Sequence, residues 1–250
     1  NMKLLVIGES CKDVFIYGDC SRLTPEAPVP VFNPVNTVEN GGMAKNVHKN
    51  VLGLGFECDL ITNDNWSAIT KSRFIERRAN HMFIRVDSND KAYGKINLKD
   101  INFKLYDAII ISDYNKGFLS EEDIELISLS HTNTFLDTKK ILGPWCYNIT
   151  YIKINNFEYE KTKHNLDLDI INKLIVTLGS DGALHKDVIY PVGKVEIKDV
   201  SGAGDTFVSA LATKYTETKD ITRAINFAND CATVVVQRKG VSICKKQERI

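Results

Sequence analysis

Charge of one sign is not in excess in this chain: Lys and Arg together number 32, equal to the 32 Asp and Glu. That balance gives no electrostatic footprint of a nucleic-acid binder or of a protein held on an anionic membrane. Long apolar runs are missing too; the first, Leu4 to Ile7, gives way at once to polar residues and is too short to span a bilayer. Cysteine is sparse and scattered. Cys11, Cys20, Cys58, Cys146, Cys231 and Cys244 form no C-x-x-C pair and no Cys/His cluster at zinc spacing, so they read as reduced thiols of a cytoplasmic protein. No G-x-x-x-x-G-K-[ST] string occurs, which excludes a Walker-type phosphate loop. What remains, 250 residues with 43% hydrophobic and 26% charged side chains, suits one substantial core whose partners are small molecules.

Short apolar runs alternate with helically spaced ones, which predicts an α/β chain with a mostly parallel sheet covered by helices on both faces. Strands are expected at Leu4–Ile7, Asp59–Ile61, Ala108–Ser112, Thr134–Asp137, Tyr151–Ile154 and Leu174–Thr177. Helices are expected at Ala44–Leu52, Ser120–Ser130, Leu168–Lys173, Asp205–Tyr215 and Ile221–Arg238. Two stretches break the alternation, about 14–39 with Pro25, Pro28, Pro30 and Pro34, and about 73–98 with alternating polar and apolar residues. Both read as antiparallel strands standing outside the main sheet.

The string VEIKDVSGAGDTFVSALATKY, Val195 to Tyr215, carries the chemistry. Val195 and Ile197 alternate with polar neighbours as in a strand, whereas Phe207, Val208, Leu211, Ala212 and Tyr215 recur at helical spacing. The turn between them is Ser201-Gly202-Ala203-Gly204. A helix start offers unpaired N–H groups and the positive end of the dipole, and glycine lets an anion approach the backbone. Asp205 at that point is a carboxylate able to take a proton from an attacking hydroxyl while the amides of Gly202, Ala203 and Gly204 stabilise a transferring phosphoryl group. A tight turn with Asp205 as a mere helix cap is the plainer alternative.

DVSGAGDTFVSA resembles the signature of the ribokinase-like, or PfkB, carbohydrate kinases. The resemblance implies a three-layer α/β/α sandwich with a small β lid formed by the two excursions, residues 1–250 making one kinase domain and the lid serving as a homodimer surface. It implies Asp205 as catalytic base and Gly202, Ala203 and Gly204 as the anion hole. VIGESCKDV presents Asp13, and NGGMAKN presents Gly41, Gly42 and Asn46, at positions where the family binds its sugar. N-x-x-E at Asn155 to Glu158 resembles the family motif whose acid orders Mg²⁺ and its waters. The T-x-G-x-x-G turn with Thr177, Gly179 and Gly182, together with Lys139 and Asn229, matches positions that contact ATP.

Three further strings narrow the likeness. SRLTPEAPVPVF at Ser21 to Phe32, SDYNKGFLS at Ser112 to Ser120, and LDTK ending at Lys139 resemble the kinase domain of bifunctional ADP-heptose synthases, over nearly the whole chain. That resemblance implies phosphorylation of D-glycero-β-D-manno-heptose 7-phosphate at O1 with ATP and Mg²⁺. A phosphorylated substrate needs a cationic receptor, for which Arg22, Lys45 and Arg85 are the candidates. Three departures stand out. The chain ends at Ile250, which leaves no room for the nucleotidyl-transferring domain of those enzymes; the stretch between Ile61 and Arg73 is short, implying an abbreviated sheet flank; and Lys45 replaces a small or apolar residue. The alternatives are a ribokinase-like kinase for another sugar or nucleoside, and a non-catalytic sugar- or nucleotide-binding paralogue.

Overall fold

The computed structural model describes residues 1–91 and 93–246. In chain order, the strands are β1 (Lys3–Gly8), β2 (Lys12–Asp19), β3 (Asn33–Asn40), β4 (Glu57–Ile61), β5 (Thr70–Glu76), β6 (His81–Ser88), β7 (Ala108–Asp113), β8 (Thr134–Thr138), β9 (Tyr151–Asn155), β10 (Leu174–Thr177), β11 (Ala183–His185) and β12 (Val188–Tyr190). The helices are α1 (Gly42–Gly53), α2 (Glu121–Ser130), α3 (Asn156–Thr162), α4 (Leu168–Ile171), α5 (Ala203–Thr218) and α6 (Ile221–Val236).

The two-residue period of the strands builds two cores. On β1, Leu4 and Val6 join one cluster while Leu5 and Ile7 join the other; on β7, Ala108 and Ile110 part from Ile109 and Ile111 in the same way. Helices α1, α5 and α6 cover the first face, and α2, α4 and the turn Pro144–Cys146 cover the second. A sheet buried on both sides reads as continuous apolar runs, as these strands do. Among the described residues it has eight strands in the order β12-β11-β10-β9-β8-β7-β1-β4. Strands β4, β1, β7, β8, β9 and β10 are parallel, and β11 and β12 add an antiparallel margin. This is the expected sandwich. The parallel strands end at Gly8, Ile61, Asp113, Thr138, Asn155 and Thr177, and in open α/β sheets that carboxyl edge is where ligands bind.

A second sheet of four strands, β3-β2-β5-β6, stands apart as the lid. It starts at Lys12 and Thr70, a few residues before each predicted excursion, and its strands end at Asn40 and Ser88. The expectation of purely antiparallel strands needs correcting, because β2 and β5 pair in parallel. Helix α1 and strand β4 intervene between β3 and β5, so the chain re-enters the lid in the direction of β2. The short connection from Ile61 makes β4 an edge strand, with only the turn Trp66–Ala68 before the lid, as the brevity of that stretch implied.

The strand expected at Val195–Ile197 is absent from the described residues. Val195 and Ile197 are exposed, and the backbone is first tied where Lys198 N and Asp199 N donate to Val236 O. Two alternating residues are too weak a pattern when no neighbouring edge receives them. The sequence reading also missed α3, β11 and β12, all short.

Candidate active site

Helix α5 begins at an N-cap glycine, Gly202, held at φ 77°, and no side chain caps it. A Cβ at Gly202 would lie 2.9 Å from Asn46 Nδ2, and one at Gly204 2.7 Å from Lys153 Nζ, so both glycines permit a close approach that other residues would block. The Ala203 N–H is taken up by Val200 O at 3.2 Å. The lysine ammonium lies beside the first turn, adding its charge to the positive end of the helix.

Asp205 is buried at the start of this helix, and its carboxylate is held from two sides. Asn46 Nδ2 donates to Oδ2 at 2.9 Å and the Tyr114 hydroxyl donates to Oδ1 at 3.2 Å. Burial raises its pKa to about 6; the Asn46 hydrogen bond opposes the rise, and the nearby Asp137 charge adds to it. A carboxylate poised there is ionised at neutral pH yet basic enough to accept a proton in flight.

Two cavities meet at Asp205. The larger, about 400 Å³, lies between the lid and the sheet edge and is lined by Asp13, Gly42, Asn46, Lys71, Arg73 and Arg85, among others. Strand register explains the lid's contribution: Asp13 pairs with Lys71, and Phe15 with Arg73, which pairs in turn with Arg85, so all five side chains share one face. Arg73 is ion-paired to Asp13, and Arg85 to Asp87 at 2.8 Å. Lys116 meets Asp90 at 2.6 Å, while Lys71 reaches the same carboxylate only at 3.8 Å. Two ammonium groups thus share one carboxylate.

The smaller cavity, about 140 Å³, lies over the carboxyl ends of β7, β8 and β9 and is lined by Asp137, Lys139, Lys153, Asn155, Glu158, Gly204 and Asp205, among others. Asn155 and Glu158 form a reciprocal capping box on α3: Asn155 Oδ1 accepts from Glu158 N, and Glu158 Oε1 accepts from Asn155 N. The other oxygen, Oε2, meets Lys139 Nζ at 3.0 Å. Burial raises the pKa of Asp137, against the pull of Lys153 at 3.4 Å.

Asp205, Gly202, Asp13, Gly42, Asn46, Lys139, Asn155, Gly204 and Glu158 therefore line one or both cavities. Gly41 is the N-cap of α1 beside them, and Ala203 is the first residue of α5. Thr177 pairs with Asn155 along the sheet edge, and Gly179 and Gly182 shape the turn into β11, but these three line neither cavity. Asn229 is buried on α6, its amide donating to Tyr190 O at 3.0 Å. Of the three candidate phosphate receptors, Arg85 lines the larger cavity, and Arg22 and Lys45 line neither of the two. Arg22 is exposed elsewhere, and Lys45 sets its ammonium 3.5 Å from the centre of the Trp66 ring, because the turn into α1 points it away from the cavity. Lys71, Arg73, Tyr114, Lys116, Asp137 and Lys153 were missed. A lysine inside the apolar run Tyr151–Ile154 was a legible signal for Lys153; Lys71 and Arg73 required the lid register.

Residues 149–248 match the family described as pfkB family carbohydrate kinase. Among curated relatives, bifunctional protein HldE of Nitratiruptor sp. is 29% identical over 98% of this chain and 64% of its own length, and that of Vibrio vulnificus 30% identical over 97% and 61%. The chain thus spans under two thirds of the length of these relatives. Ribokinase from Thermotoga maritima superposes with a TM-score of 0.76 at 18% identity, covering 99% of this chain and 98% of its own. Ribokinase of Arabidopsis thaliana, complexed with ribose and ATP, gives 0.72 at 16% identity over 99% and 97%. Phosphofructokinase-2 of Escherichia coli, in complex with fructose-6-phosphate, gives 0.68 at 15% over 100% and 97%. The sandwich, the lid and the Gly-Ala-Gly-Asp helix start agree with these likenesses: residues 149–248 carry the match to the pfkB carbohydrate kinases, and the fold is the one seen in ribokinases.

Proposed function

We propose that the chain is an ATP-dependent kinase acting on a sugar that already carries a phosphate, D-glycero-β-D-manno-heptose 7-phosphate, with transfer to O1. The observation that carries this reading is the pairing of Lys71 and Lys116 with the single carboxylate of Asp90 in a cavity that also holds Arg73 and Arg85. A surplus ammonium in a partly closed cavity suits a substrate phosphate, and it is poorly matched to a neutral pentose or nucleoside. The heptose itself comes from the sequence likeness in SRLTPEAPVPVF and SDYNKGFLS.

In this reading the sugar lies in the larger cavity, with Asp13 accepting hydrogen bonds from its hydroxyls and its phosphate toward Lys71 and Lys116. Asp205 Oδ accepts the proton of the O1 hydroxyl as that oxygen attacks the γ-phosphorus and the bond to the ADP oxygen breaks. The first turn of α5, with Lys153 alongside, stabilises the charge that spreads over the transferring group. Lys139 lines both cavities and offers its ammonium to the phosphates between them.

No cluster of three or more His, Cys, Asp or Glu side chains able to hold a metal is found among the described residues, so a caged metal does not fit. A magnesium ion arriving with ATP does, since it needs few carboxylates besides phosphate oxygens and water. Glu158 would hold it, through water, and the ion would draw off phosphoryl charge. The outward lid face exposes Ile84 and Val86 and suits a homodimer contact. Among the described residues no helix is long and apolar enough to cross a membrane.

The test is ADP release with ATP, Mg²⁺ and a panel of heptose 7-phosphate, fructose 6-phosphate, ribose and adenosine, with the product identified by ³¹P NMR. The expected result is a heptose 1,7-bisphosphate; preferred use of ribose or adenosine overturns the reading.

A further inference from the structure

Tyr114 stands where the two cavities meet and lines both. It follows β7 in a loop pinned from beneath: buried Glu9 accepts from Tyr114 N at 2.7 Å and from Lys116 N at 2.9 Å, and Asn115 between them has φ 57°. The loop therefore has little freedom, and the ring it presents is fixed in place. Its hydroxyl donates to Asp205 Oδ1, on the side of the carboxylate opposite the Asn46 bond to Oδ2. Its ring face carries the Lys139 ammonium, 4.8 Å from the centroid, and Lys139 continues to Glu158. One side chain thus touches the acid that serves the acceptor and the cation that serves the donor.

We propose that Tyr114 is a positioning residue for phosphoryl transfer, its hydroxyl fixing the plane of the Asp205 carboxylate and its ring seating the Lys139 ammonium. The inference rests on Asp205 acting as the base. With one neutral donor on each oxygen, the carboxylate cannot rotate without losing a bond, yet each oxygen keeps lone-pair capacity for the incoming proton. Tyrosine is suited to this because its phenol stays protonated: burial, reinforced by the charges of Asp205 and Asp137, raises its pKa well above the ordinary value. Besides the neutral donors Asn46 and Tyr114, the charged groups Asp137, Lys153 and Lys139 act on Asp205.

Tyr114→Phe separates the two tasks, since it removes the hydroxyl and keeps the ring. Losing a donor to the ionised carboxylate favours its protonated form, so the Asp205 titration should move to higher pH. Turnover should fall by about tenfold, with KM for sugar and for ATP changed less than about twofold. Tyr114→Leu, which also removes the ring, should in addition raise KM for ATP. The titration is read without substrate, from carboxyl ¹³C NMR of aspartate-labelled protein, with Asp205→Asn assigning the resonance. An unmoved Asp205 midpoint in Tyr114→Phe overturns the proposal whatever the substrate is. So does wild-type turnover with an unshifted acid limb of the pH profile. A shifted midpoint in a protein that phosphorylates none of the sugars upholds the contact and overturns the substrate reading instead.

Discussion

Asn46 Nδ2 lies 2.9 Å from Asp205 Oδ2, a bond between side chains 159 positions apart that ties the first turns of α1 and α5 together. The glycine turns before α1 and α5 therefore form one unit: α1 delivers the amide that orients the acid at the start of α5. Asn46, Asp205 and Asp13 line the same cavity.

Replacing the acid tests its role. Asp205→Asn should lower turnover by about two to four orders of magnitude while leaving sugar and ATP affinity within a few-fold, as measured by stopped assays and calorimetry. Turnover close to that of the wild type would remove Asp205 as base.

The same variant should be more stable than the wild type at neutral pH. Burial raises the Asp205 pKa from 3.8 to about 6, so between those two values the folded state holds a proton that the unfolded chain has released, and above them burial of the charge is a net cost to folding. The stability contributed by this protonated group is fully present below the unfolded pKa and is lost as pH rises through about 6, a loss of up to ~3 kcal/mol that asparagine avoids. Thermal melts should show a gap in Tm at about pH 8 that closes toward about pH 4; a gap independent of pH would contradict this.

Activity should carry the same titration. The base must be ionised, so kcat/KM should fall below a midpoint near pH 6, and that limb should persist when the sugar is changed. A flat profile down to about pH 5 would place the base elsewhere.

Glu158→Gln keeps the capping box, because glutamine also accepts from and packs against the N-cap backbone, but it removes the charge that faces Lys139. The expected outcome is an unchanged Tm with a severalfold higher Mg²⁺ concentration at half-maximal rate, about 10-fold at most. A lowered Tm with the same Mg²⁺ dependence would make Glu158 a helix cap alone.

Much of the sheet was legible because parallel strands buried on both faces leave unbroken apolar runs, as in Ala108–Ser112 and Leu174–Thr177. Asp205 with its glycines was legible because the change from turn chemistry to helical spacing occurs within a few residues. Of the cations that line the larger cavity, only Arg85 and Lys139 were legible. Arg22, Lys45 and Arg85 were singled out by local context, whereas cavity-facing Lys71 and Arg73 are fixed by the register of β5 against β2 and Lys116 by a loop from another strand. Lys45 shows the limit of neighbourhood reasoning: it sits one residue from Asn46, yet the helix turns it toward Trp66. The Asn155 to Glu158 motif was read for its acid alone, and its reciprocal cap became visible only with α3.

The most direct test of the central claim, a kinase whose acceptor site is built around a substrate phosphate, is kcat/KM for heptose 7-phosphate against unphosphorylated heptose at equal ATP, in the wild type and in Lys71→Met. A buried cationic site left unpaired discriminates against the analogue lacking its partner. The account predicts a wild-type preference of at least roughly tenfold, about 1.4 kcal/mol, that shrinks severalfold in Lys71→Met. Equal efficiencies for the two sugars in the wild type would contradict it.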